Sequence, residues 1–140
     1  YRRYHAPFCR TVFLGTPPKY LRDAEAALVE GLEAGLDAAR AGNTASDIAR
    51  ALGAPLERAG IDRSARCGYP IGVSYPPDWG ERTISLRVED DTVLEAGMTF
   101  HFMPALWLDD GGLEITEPIR ITETGHECFC TTPRKLFVSA

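Results

Sequence analysis

Tyr69-Pro-Ile-Gly-Val-Ser-Tyr-Pro-Pro-Asp-Trp-Gly-Glu-Arg82, Gly97-Met-Thr-Phe-His-Phe-Met-Pro104 and Gly112-Leu-Glu-Ile-Thr-Glu-Pro-Ile-Arg-Ile-Thr122 decide the architecture of this chain. All three are interrupted by Gly or Pro and mix β-branched with aromatic residues, the texture of short strands joined by turns. Met98 to Met103 reads as a strand that follows the turn residues Glu95-Ala-Gly97. Leu113 to Thr122 alternates apolar and polar residues, as does Ile84 to Val88, and Cys128 to Cys130 with Lys135 to Val138 closes the sheet.

The residues before this region read differently. Tyr4 to Leu14 is rich in aromatic and β-branched residues and ends in Gly15-Thr-Pro-Pro18, a strand and its stop. From Pro18, apolar Leu21, Ala24, Leu28, Leu32 and Leu36 recur at three and four residues. Glu25, Glu30, Glu33 and Asp37 occupy the rest of the circumference, so a long amphipathic helix is expected, ended by Gly42-Asn43. A second helix starts with Thr44 as N-cap and Asp47 at its third position in a capping-box pattern, with Ile48, Leu52 and Leu56 facing inward. Pro55 is expected to kink or break it. A strand, two helices and then a run of strands is an α+β order, within one domain and without repeats or linkers.

At 140 residues the chain is one domain's worth, enough to bury roughly two thirds of its unfolded surface. A formal net charge of -5 with thinly spread Lys and Arg leaves no basic stripe to neutralise phosphates, which argues against nucleic acid as a partner. No apolar run approaches the roughly 20 residues of a membrane-spanning helix, and a cytoplasmic protein without a membrane partner is expected. Cys9, Cys67, Cys128 and Cys130 have no metal-finger spacing and read as free thiols in a reducing compartment.

The three quoted segments, at this spacing, resemble the second half of the catalytic domain of the pita-bread hydrolases, the superfamily of methionine aminopeptidase, aminopeptidase P, prolidase and creatinase. Pita-bread catalytic domains are longer. The resemblance therefore implies that residues 1–140 are the C-terminal part of such a domain, with the N-terminal domain and the first half of the catalytic domain absent. In metal-dependent members each segment donates ligands to a dinuclear metal site. Here the Asp before the Arg10-Thr11 pair falls on Pro7 and the His of the Gly-His-Gly-Ile-Gly segment is Tyr69. The Glu of Glu-Pro is Met103, and the Glu of the final strand is Thr116. Carboxylates and imidazole are replaced by residues that do not bind such metals, so the resemblance implies a metal-free hydrolase with no cofactor.

Tyr75-Pro-Pro-Asp-Trp-Gly-Glu-Arg82, His101-Phe-Met-Pro104, Leu113-Glu-Ile-Thr-Glu117 and Pro133-Arg-Lys-Leu-Phe137 resemble the ectoine-hydrolase branch of the family in particular. That resemblance implies addition of water across the amidine carbon of ectoine or hydroxyectoine, a small zwitterionic substrate, by a homodimer. Alternatives are a creatinase-like amidinohydrolase, a metal-dependent Xaa-Pro peptidase, and a non-catalytic pita-bread domain used for binding.

Such a reaction needs a carboxylate for the amidinium, a base or nucleophile near its carbon, a proton donor for the departing nitrogen, and aromatic faces for the cation. Strand parity puts His101 on the face of Met103, hence toward the cavity, as acid, base or, if protonated, a carboxylate binder. Glu114 shares the parity of Thr116, whereas Glu117 shares that of Leu113, Ile115, Ile119 and Ile121, an apolar face where a carboxylate needs a partner. A bulge at Pro118 would turn Glu117 inward instead, so both glutamates stand as candidates. Tyr69 is a candidate proton donor. Tyr75, Trp79, His5 and Thr116 are candidates for substrate binding, and His126 reads as a solvated turn residue.

Overall fold

The computed structural model describes residues 2–73 and 83–139. In chain order the elements are β1 Val12–Leu14, α1 Lys19–Ala38, α2 Ala45–Arg58, β2 Gly68–Pro70, β3 Thr99–Phe102, β4 Ala105–Leu108, β5 Gly111–Glu114, β6 Glu117–Ile121, β7 His126–Cys128 and β8 Phe137–Ser139. The central antiparallel sheet has the order β2-β3-β6-β7. β4 and β5 form a hairpin, and β1 pairs with β8 in parallel. This is the expected α+β fold.

Both helices form where their periodicity places them. Leu21, Ala24, Leu28, Leu32 and Leu36 of α1 are buried, as are Ile48, Leu52 and Leu56 of α2. The capping box closes as well: Thr44 Oγ1 accepts the Asp47 N–H at 3.2 Å, and the Asp47 carboxylate accepts the Thr44 N–H at 2.8 Å. The helix ends depart from expectation. α1 stops at Ala38, ahead of Gly42, because the Asn43 side-chain amide donates to the Ala38 carbonyl at 2.8 Å and takes over a terminal acceptor. α2 runs through Pro55 to Arg58, only a turn from its end, where a missing N–H disrupts little of the ladder.

The strand pattern needs correction in several places. The closing strands are His126–Cys128, which pairs with β6, and Phe137–Ser139, which lies outside the central sheet beside β1. Of Tyr4 to Leu14 only Val12–Leu14 is a strand, with single bridges at Tyr4 and Arg10. Ile84 to Val88 is not a strand: Leu86 alone is buried and exchanges hydrogen bonds with Cys67 and Gly68, while the Asp90 carboxylate accepts the Ser85 N–H and the chain turns at Val88. Leu113 to Thr122 is two strands that part at Ile115 and Thr116, where N–H groups donate to Pro104 and Cys9 carbonyls instead of continuing one ladder. At Pro118 there is no bulge: Phe100 to Ile119, His101 to Pro118 and Phe102 to Glu117 pair in unbroken register.

That register divides β3 and β6 between two faces. Phe100, Phe102, Ile119 and Ile121 join the core beneath α1 and α2, and Glu117 enters it with them at 0% exposure. A carboxylate there requires compensation. Arg10 and Arg134 supply it: both guanidinium groups bond Glu117 Oε1, Arg134 at 3.2 Å, and Arg134 reaches on to Glu33 of α1 at 2.8 Å. Arg10 also donates to the carbonyls of Cys9, Thr116, Thr132 and Pro133, so no arm of its guanidinium is left over.

Two predictions test this packing in the full-length protein. Glu117→Gln leaves two guanidinium charges without their buried counter-ion and should lower the unfolding free energy by about 3 to 5 kcal/mol in urea titration; a cost under about 1 kcal/mol would show the network to be dispensable. A Cβ on Gly31 would sit 2.6 Å from the Leu52 carbonyl oxygen of α2, whereas one on Gly53 meets nothing within 4 Å. Gly31→Ala should therefore destabilise by about 1 to 3 kcal/mol, and Gly53→Ala should stabilise by up to about 1 kcal/mol.

Candidate active site

On the face of β3 opposite Phe100 and Phe102 lies a recess of about 580 Å³, lined by Tyr69, His101, Met103 and Glu114, with the extended segment from Tyr4 to Cys9 as its outer wall. The wall is held at both ends. The His5 N–H donates to the Gly72 carbonyl at 2.9 Å, and Cys9 is anchored to Thr116 and Arg10. Phe8 is further fixed by the Arg10 guanidinium 4.4 Å above its ring.

His101 and Tyr69 are directly opposed in the β2–β3 register. Their rings meet edge to face at 5.2 Å, and His101 Nδ1 and the Tyr69 hydroxyl are hydrogen-bonded at 2.9 Å. Burial pushes the His101 imidazole down to about 4, so it is neutral near pH 7. The carboxylate-binding role expected of an imidazolium is therefore unfavourable for His101. Its Nε2 is buried and has no hydrogen-bond partner among the described residues. A neutral imidazole with one nitrogen held by a phenol and the other unsatisfied is suited to exchange a proton or a hydrogen bond with a guest.

Among the described residues Glu114 is the carboxylate of the recess. Its backbone is held by Thr11, which donates to the Glu114 carbonyl at 3.1 Å and whose hydroxyl accepts the Glu114 N–H at 2.8 Å. Glu117 lies on the other face of the sheet, in the ion pairs with Arg10 and Arg134, and Thr116 is buried with its hydroxyl accepting the Cys9 N–H at 2.8 Å. The structure thus brings together His5, Tyr69, His101 and Glu114, and sets Glu117 and Thr116 apart from them. Tyr75 and Trp79 lie outside the described residues. His126, read as a turn residue, begins β7 and is half-buried. Cys9, Tyr4 and Phe8 line the recess without having been expected there; the shared parity of Pro7 and Cys9 in an extended segment is the signal that points to Cys9.

Of Pro7, Tyr69, Met103 and Thr116, which the sequence resemblance sets against the family's metal ligands, the first three line the recess. Among the described residues no group of three or more His, Cys, Asp or Glu side chains is placed to hold a metal ion, so this donor set does not fit a dinuclear centre. A second groove of about 600 Å³ follows α2 from Ala49 to Arg63, remote from this chemistry. Its Arg63 is engaged by the carbonyls of Ala65, Arg66, Met103 and Ala105 and closes a chain corner. No helix among the described residues is long and apolar enough to cross a membrane.

Comparison with known proteins agrees with the fold and narrows the chemistry. The chain is 63% identical over 139 residues to an ectoine hydrolase of Halomonas elongata, covering 99% of this chain and 35% of that protein. It is also similar to the solved structure of the dipeptidase PepE from Mycobacterium ulcerans, with 26% identity, a TM-score of 0.80, and coverage of 89% of this chain and 33% of that one. The prolidase from Pyrococcus horikoshii OT3 shares the fold at 22% identity and a TM-score of 0.88, over 98% of this chain and 39% of its own. The chain spans about a third of the length of these relatives. The profile of metallopeptidase family M24 matches residues 1–123, and with the pita-bread fold, the recess and these relatives it shows that the chain belongs to that family of hydrolases.

Proposed function

We propose that this chain is the C-terminal part of the catalytic domain of a metal-independent hydrolase that opens the cyclic amidine ring of ectoine, or of hydroxyectoine, to N-acetyl-diaminobutyrate. The observation that carries the reading is the composition of the recess. Among the described residues one carboxylate, a neutral imidazole bonded to a phenol, and aromatic walls surround the positions that the sequence resemblance matches to metal ligands. The 63% identity to an ectoine hydrolase supports the substrate.

Ectoine presents a delocalised amidinium and a carboxylate. Glu114 is suited to the amidinium: its charge favours the cation, and its oxygens accept the ring N–H groups. Water adds to the amidine carbon and gives one proton to a base, and the carbon then becomes an amide carbonyl as its bond to one ring nitrogen breaks. That nitrogen leaves as an amine once it has been protonated. Tyr69 and His101 form the proton path to it: with the phenol donating to Nδ1, the imidazole carries its own proton on Nε2 and presents it to the guest. His5, at the rim of the recess, is a candidate partner for the substrate carboxylate, as are Tyr75 and Trp79 for the ring. The reading includes the cytoplasmic homodimer that the family resemblance implies.

Proton NMR of ectoine incubated with the full-length protein after exhaustive chelation tests this reading, with an Xaa-Pro dipeptide as control. Ring opening without metal is expected. Dipeptide cleavage that begins only on adding manganese, with ectoine intact, would mean a metallopeptidase.

A second prediction concerns His101 itself. Its folded value of about 4 lies below the ordinary 6.5, so the unfolded state takes up its proton first as pH falls. The stability is fully present above about 6.5 and is lost on descent toward about 4, on the order of 2 kcal/mol between pH 6.5 and 5. Urea titrations at these two pH values should show the loss, and His101→Gln should reduce it. Equal losses in both proteins would rule out His101 as the cause.

A further inference from the structure

Cys9 lines the recess beside Glu114, and its backbone is clamped from two sides. Its N–H donates to Thr116 Oγ1 at 2.8 Å, and its carbonyl accepts the Thr116 N–H at 3.1 Å and Arg10 Nη1 at 2.9 Å. Two residues on, Thr11 holds the backbone of Glu114 through its own N–H and hydroxyl. Thiol and carboxylate are therefore brought together by one short stretch of paired chain. Across the recess, His101 is 4% exposed and leaves Nε2 unpartnered among the described residues, which marks the space between them as one that receives a polar guest.

The surroundings of the thiol agree with a donor role. Burial, then the charge and hydrogen bonding of Glu114, push the Cys9 thiol up, against a smaller opposing effect from Arg10. It stays protonated near neutral pH and available to donate. The other titratable groups on the recess among the described residues are Tyr4, His5, Tyr69 and His101. No Lys or Arg pairs with Glu114 among the described residues. This distinction matters: a guanidinium would cancel the carboxylate's charge, whereas a thiol, a weak donor, orients it and leaves the charge for a cationic guest. The remaining thiols are differently engaged, Cys67 with the Leu86 carbonyl, Cys128 with Arg134 and Cys130 with Thr132.

We propose that Cys9 is a positioning residue whose thiol donates to the Glu114 carboxylate and holds it turned into the recess toward the cationic group of the substrate. The inference rests on the amidine-hydrolase reading for the identity of that substrate, and for the pairing on the shared place of the two side chains in the recess and the backbone bonds that set Cys9 against Thr116 and Thr11 against Glu114. In the full-length protein, iodoacetamide labelling of the Cys9 peptide, followed by mass spectrometry, should be slow, and Glu114→Gln should accelerate it severalfold by removing the neighbouring charge. With ectoine as substrate, Cys9→Ala should lower kcat by about 10- to 100-fold with a smaller effect on KM, and Cys9→Ser should recover most of that loss through its hydroxyl donor. Equal labelling rates in the wild type and Glu114→Gln, or an unaltered kcat in Cys9→Ala, would overturn the proposal. Accelerated labelling in a protein that leaves ectoine intact would uphold the pairing and sink the ectoine reading instead.

Discussion

The Glu117 carboxylate, wholly removed from solvent, is the constraint on which the rest of the molecule depends. A charge in that position is tolerable only with counter-charges beside it. Arg10 and Arg134 provide them from opposite ends of the sequence, and Arg134 carries the connection on to Glu33 of α1. One ionic cluster therefore fastens the start of β6, the segment leading into β1, the approach to β8, and a helix. Its consequence for the site is indirect but decisive. With Arg10 fixed, Cys9 is fixed, and the extended segment before it becomes a wall instead of a loose strand end.

The two faces of β3 explain how a hydrophobic core and a polar recess can share four residues. Phe100 and Phe102 fill the core below the helices, while His101 between them turns to the recess and meets Tyr69 across the β2–β3 pair. Burial keeps that imidazole neutral, and the Tyr69 hydroxyl occupies one of its nitrogens. Glu114 brings a negative charge from a separate hairpin. Among the described residues the recess has one carboxylate and no lining Lys or Arg, a distribution that favours a cationic guest.

Short-range signals in the sequence match the structure where no other group competes for the same backbone. The helix faces and the Thr44–Asp47 capping box depend on residues within a turn or two of one another, and both stand as the periodicity indicates. Ile84 to Val88 has the alternation of a strand yet pairs with β2 only through Leu86, because the Asp90 side chain takes the Ser85 N–H and the chain turns away after Arg87. Parity along β5 and β6 separated Glu114 from Glu117 but left both as candidates, since Pro118 allowed a bulge. The unbroken pairing with β3 removes that alternative and leaves Glu117 facing the core.

From its amino acids alone the chain is recognisable as an α+β pita-bread segment, and the resemblance sets Pro7, Tyr69, Met103 and Thr116 against the family's metal-ligand positions. Those are properties of residue identity and spacing along the chain. Which carboxylate reaches the recess, which is locked between two arginines, and that a thiol stands beside the first were decided by tertiary structure. The reason is physical: these partners meet through sheet register and buried charge compensation between segments as distant as Cys9 and Thr116, 107 residues apart. Periodicity carries no information about which distant strands will pair or in which register, and it is that pairing which turns a list of polar residues into a site.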